Sequence, residues 1–168
     1  MLIAKRNSRL KAALLIALPL AFAAAALPAT TAPAHADEIT TYVKDGAAIG
    51  GTDPVAYFTD GKPVAGSDKF TATHDGVTWK FSSAEHRDMF KAEPEKYAPA
   101  YGGYCATGAS FGYKIPIDPT TWDIHDGKLY LNAGPAPHKR YLSDVKGTIE
   151  RADKNWTKIK DVPADKLQ

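Results

Sequence analysis

Soft and borderline metal donors are few in this chain: one cysteine, Cys105, five histidines and two methionines, of which Met89 is the internal one. Thiolate, thioether and imidazole together suit Cu(I) and similar soft transition ions. His86 and Met89 are three residues apart, a spacing that puts both on one face of a helix. Cys105 follows the glycine-rich run Tyr101-Gly102-Gly103-Tyr104, and His74 stands directly before an Asp-Gly pair, as His125 does. These residues predict a metal site with Cys105 and His86 as leading ligands, Met89 and His74 as further candidates, and copper as the ion. Three other readings of Cys105 stay open at this level: a redox-active thiol, a site of intermolecular pairing, or a small buried hydrophobe. Nothing surrounds Ser82 or any other residue with a hydrolase signature. Gly-x-Ser-x-Gly, His-Glu-x-x-His, Cys-x-x-Cys and a phosphate loop are all missing, so a non-enzymatic binding module is expected.

The elements that must carry these side chains are legible in part. Lys69–His74 alternates, Asp75-Gly76 supplies two positive-φ residues, and Val77, Trp79 and Phe81 return on one face, which predicts a hairpin. Ser82-Ser83-Ala84-Glu85 reads as a capping box, with Ser82 as cap of a short helix running to about Ala92, where Glu93-Pro94 ends it. A second hairpin is expected from Thr121–His125, the turn Asp126-Gly127 and Lys128–Leu131. Asp37–Ile49 reads as a loosely alternating lead-in strand, and Pro54 argues against a central strand over Asp53–Phe58. Leu142, Val145, Ile149, Ala152, Trp156 and Ile159 recur at steps of three and four, predicting one long amphipathic C-terminal helix with Gly147 as its weak point. The fold class is therefore α+β: two Asp-Gly hairpins contributing to a small antiparallel sheet, a short helix after the first, and a longer helix closing the core. Tyr57, Phe58, Trp79, Tyr97, Tyr101, Tyr104, Trp122 and Trp156 are expected in the core or lining a groove. Both hairpins read His-Asp-Gly, and each is followed by another histidine: His74 pairs with His86, His125 with His138. That is the trace a duplicated strand–strand–helix unit would leave.

Asp53-Pro54-Val55-Ala56-Tyr57-Phe58, Phe81-Ser82-Ser83-Ala84-Glu85-His86-Arg87-Asp88-Met89-Phe90 and Pro94-Glu95-Lys96-Tyr97 together resemble the YHS domain family. Tyr101–Ala106 and Lys128–Asn132 are similar to its exported bacterial branch, so the resemblance covers most of the chain beyond the leader. It implies a small metal-handling domain. The family's metal-handling members carry one cysteine after Asp-Pro-Val and two flanking the start of the helix; those positions are Ala56, Ser82 and His86 here, leaving an imidazole as the one ligand-type side chain among the three. Some members of the exported branch are named as possible selenoproteins, which implies redox chemistry at a chalcogen and keeps Cys105 in view as a reactive atom.

Lys5, Arg6, Arg9 and Lys11 precede an apolar run from Ala12 to about Leu27, and Ala34-His35-Ala36 offers small residues at the two positions a signal peptidase reads. Residues 1–36 are accordingly expected to be a cleaved Sec-type signal, with no membrane span left after cleavage, which places the mature chain in the periplasm or the medium. Of 21 basic and 19 acidic residues the leader takes four basic ones, leaving 17 against 19. A net charge of −2 without a basic run makes nucleic acid an unsuitable partner; a metal ion or an envelope protein is expected instead. About 130 residues remain, enough for one core. They divide as a lead-in over 37–50, the YHS-like domain over 51–160 and a tail over 161–168. A single cysteine forms no internal disulfide, so packing must hold the domain.

Overall fold

The computed structural model describes residues 40–167; the expected signal peptide and the first residues of the lead-in lie outside them. The lead-in is not one strand. Val43–Lys44 (β1) and Ala47–Ala48 (β2) pair across Asp45-Gly46, whose φ values of 53° and 73° mark a third Asp-Gly turn. A one-turn helix, Ala56–Thr59 (α1), follows the Asp53-Pro54 corner. Then comes the first long hairpin, Ser67–His74 (β3) with Val77–Phe81 (β4), and after it the helices Ala84–Ala92 (α2) and Pro94–Tyr97 (α3). The second half runs through Ala106–Ser110 (α4), the hairpin Asp118–His125 (β5) with Lys128–Asn132 (β6), Pro135–Ser143 (α5) and Val145–Ile159 (α6). The α+β class holds, but the hairpins do not merge: each stays a separate two-stranded antiparallel sheet.

The halves repeat element by element. Strands β5 and β6 and helix α5 lie 51 residues beyond β3, β4 and α2, with the same lengths. Even the irregularity recurs, since the register of each hairpin shifts between its first and fifth residues, Ser67/Thr71 and Asp118/Trp122. His125 falls on the position of His74. Pro137, not His138, falls on that of His86, so the second histidine of the sequence pattern is out of register.

Packing forms two apolar clusters that meet at β6. Val77, Trp79 and Phe81 of β4 join Tyr57, Phe90, Tyr97, Leu129 and Leu131 in the first. Tyr130, on the opposite face of β6, joins Tyr101, Ala106, Ala109, Tyr141 and Ala152 in the second. Both faces of β6 are therefore buried, and each large side chain sealed this way contributes roughly 1.5–3 kcal/mol. The expected C-terminal helix is broken: α5 ends at Ser143, Asp144 caps α6 by accepting from Gly147 N at 3.0 Å, and Leu142 is left 54% exposed on α5 instead of closing the core. Residues beyond α6 are tied down by Lys114, fully buried, whose Nζ donates to the carbonyls of Lys160 (2.6 Å) and Val162 (2.7 Å) and lies over the rings of Tyr104 and Trp156.

Candidate functional site

Asp53 organises the first half. Its chain approaches antiparallel to residue 64, with Asp53 N donating to Val64 O at 2.9 Å, and its carboxylate is wholly buried. Five donors converge on it. Val55 N (2.9 Å) and Ala56 N (3.3 Å) reach Oδ1 at the start of α1, while Ser82 N (2.8 Å), Ser82 Oγ (2.6 Å) and His86 Nδ1 (2.7 Å) reach Oδ2. A carboxyl group removed from water is held by such a set of hydrogen bonds. The expected capping box is displaced by this network. Ser82 gives its hydroxyl to Asp53, and Ser83 caps α2 by accepting from His86 N at 3.1 Å.

The consequence falls on His86. A carboxylate accepting at Nδ1 requires the proton there, which leaves Nε2 as the acceptor or ligand atom. Nε2 lies 3.2 Å from Thr59 Oγ1 and 3.9 Å from Asp60 Oδ1, both at the C-terminal end of α1. The His86 side chain is 12% exposed and that of Asp60 37%, beside the wholly buried Asp53 carboxylate. Asp53, Thr59 and Asp60 were not among the residues expected to do chemistry. The Asp53-Pro54 corner is visible in the sequence, but its approach to Ser82 and His86 spans about thirty residues and is created by the hairpin between them.

The remaining predicted ligands lie elsewhere. Met89 packs against the first core. His74 sits edge-on to Phe90 at 5.7 Å, with its Nε2 3.5 Å from Asp75 and 3.7 Å from Glu95. Cys105 is 1% exposed at the start of α4, in the second half. Among the described residues, no three His, Cys, Asp or Glu side chains are gathered to hold a metal ion, so Cys105, His86 and His74 do not converge.

Cys105 has its own surroundings, and they parallel those of Asp53. Cys105 N donates to Ile115 O at 3.0 Å, as Asp53 N does to Val64 O. Its Sγ accepts from Gly108 N at 3.3 Å, with the backbone N–H groups of Ala133 and Thr107 also directed at it; Ala133 is the counterpart of Ser82 in the repeat. The Asn132 carboxamide lies alongside, Oδ1 3.7 Å from Sγ. Burial pushes the thiol up, against the smaller downward pull of those three N–H groups. The approach to this seat requires glycine. Gly102 (φ 58°) and Gly103 (φ 82°) take left-handed backbone, and a side chain on Gly102 would collide with the carbonyl of Thr40.

Against known proteins, the chain matches no family model, no curated sequence and no solved structure.

Proposed function

We propose that this chain is an exported, non-enzymatic binding module for a transition-metal ion, copper foremost, and that His86 holds the ion through Nε2 with Asp60 beside it. The observation that carries this reading is the 2.7 Å bond from His86 Nδ1 to the buried Asp53 carboxylate. Metal-binding imidazoles characteristically donate their second nitrogen to a carboxylate, which sets ring orientation and raises ligand basicity. The resemblance to YHS domains adds support, since His86 occupies one of that family's ligand positions. An imidazole nitrogen and a carboxylate oxygen suit Cu(II), and also Zn(II), better than Cu(I). Two donors leave coordination positions for water or for a ligand from a partner protein, which fits a module that passes an ion on. Cys105 is assigned a structural part: a sealed sulfur with a raised thiol pKa has the opposite character to a reactive thiolate.

The test is Cu(II) and Zn(II) competition titration on the chain from Asp37, beside His86→Ala, Asp60→Ala and Cys105→Ser. Stoichiometric binding should be lost in the first, weakened in the second and kept in the third. Binding that survives His86→Ala would sink the proposal. Anaerobic Cu(I) binding that vanishes in Cys105→Ser would move the site to the sulfur and restore the thiol reading.

A further inference from the structure

A groove lies in the second half, where the repeat places Pro137 at the position of His86. Helices α4 and α5 border an open cavity of about 560 Å³ lined by Thr107, Phe111, Pro137, Lys139, Arg140 and Ser143 among others. Shifted by the 51 residues that separate α2 from α5, Pro137 stands for His86, Lys139 for Asp88 and Arg140 for Met89. On this helix the second half thus carries a proline and two cations where the first carries a histidine, an aspartate and a methionine. No carboxylate lines the groove.

The arrangement is shaped for a particular chemistry. Phe111 is 50% exposed, and the Arg140 guanidinium lies over its ring at 4.7 Å, which holds the cation at the groove. The floor is built rather than loose: Thr107 Oγ1, with one proton to give, lies 2.8 Å from Pro137 O and 2.9 Å from Asn132 Oδ1, where α4, β6 and the first turn of α5 meet. The depression is open to solvent and offers an exposed aromatic ring beside two cations, so it can take apolar contact and negative charge together. We infer that the α4–α5 groove binds a small organic anion with an aromatic or other apolar body, its charge met by Lys139 and Arg140 and its body laid against Phe111 and Pro137. This inference does not depend on the metal reading of His86.

The probe is 8-anilinonaphthalene-1-sulfonate, followed by fluorescence on the folded chain from Asp37 at fixed ionic strength. One saturable site is expected, with affinity at least tenfold weaker in Arg140→Glu and in Lys139→Glu, weaker in Phe111→Ala, and unchanged in Lys91→Glu, an equal charge change on exposed α2. Naphthalenesulfonate should displace the probe and inorganic phosphate should not. Circular dichroism confirms that each variant is folded. Absence of saturable binding, equal weakening in Lys91→Glu, indifference to both groove reversals, or displacement by phosphate as effective as by naphthalenesulfonate would each overturn the inference.

Discussion

Asp53 and His86 stand 33 residues apart in the chain and 2.7 Å apart in space, joined Oδ2 to Nδ1. That contact fixes which imidazole nitrogen carries the proton, and it also anchors α2 to the corner that starts α1. Asp53→Asn is therefore expected to weaken metal binding about 10- to 100-fold with His86 still in place, read by the same competition titration. Asp53→Ala strips five donors of their acceptor and should cost about 3–5 kcal/mol, read as a lowered urea midpoint. A metal affinity unchanged in Asp53→Asn would show that the carboxylate has no part in positioning the ring.

Lys114 gives a pH dependence with a definite sign. Burial depresses its ammonium from 10.5 to about 8, with Asp161 pulling weakly the other way. The unfolded chain keeps its proton up to about 10.5, so between pH 8 and 10.5 the unfolded state binds more protons and stability rises with pH. Urea midpoints measured across that window should show this rise in the native chain and a flatter profile in Lys114→Met. Identical slopes would mean that Lys114 titrates as a free lysine.

At higher pH the tyrosines reverse the trend. Burial first, and nearby carboxylates second, hold Tyr57, Tyr101 and Tyr141 well above the ordinary value of 10; Tyr101 also donates to Asp153 at 2.9 Å. Their folded pKa is raised, so the stability they contribute is present below pH 10 and lost as pH climbs beyond it. Absorbance at the tyrosinate band should show these three ionising only together with loss of the far-ultraviolet circular dichroism. Smooth ionisation of all eight tyrosines in the folded chain would contradict their burial.

The thiol of Cys105 should be silent toward a disulfide reagent under native conditions and react at once in denaturant, because Sγ is sealed and its pKa raised. Cys105→Ala leaves the Gly108 N–H without its acceptor and should destabilise by about 1–3 kcal/mol, measured by thermal unfolding. Fast native labelling would reopen redox chemistry at this position.

Local signals settled a good part of the fold. Asp75-Gly76 and Asp126-Gly127 need only two positive-φ residues between alternating strands, so both hairpins and the inward set Val77, Trp79 and Phe81 are legible from short windows. Asp45-Gly46 carried the same signal, masked by flanking strands of two residues each. The α2 stop at Pro94 follows from backbone sterics alone, and His86 is legible as a ligand-type side chain from its residue type. What needed tertiary structure is everything that depends on contacts between distant segments. The capping box assigns the cap to Ser82, but Asp53 takes the Ser82 hydroxyl and the cap passes to Ser83. Helix α6 starts at Asp144 because its carboxylate caps there, which periodicity cannot see, and Leu142 is thereby left outside. Soft-donor chemistry grouped Cys105 with His86, yet the fold seats the cysteine in the second half, one residue past the repeat position of Asp53 and with its N–H paired as that of Asp53 is. Residue type determines what a side chain can bind; only the folded chain decides which side chains meet, because burial and hydrogen-bond satisfaction are properties of the whole packed core.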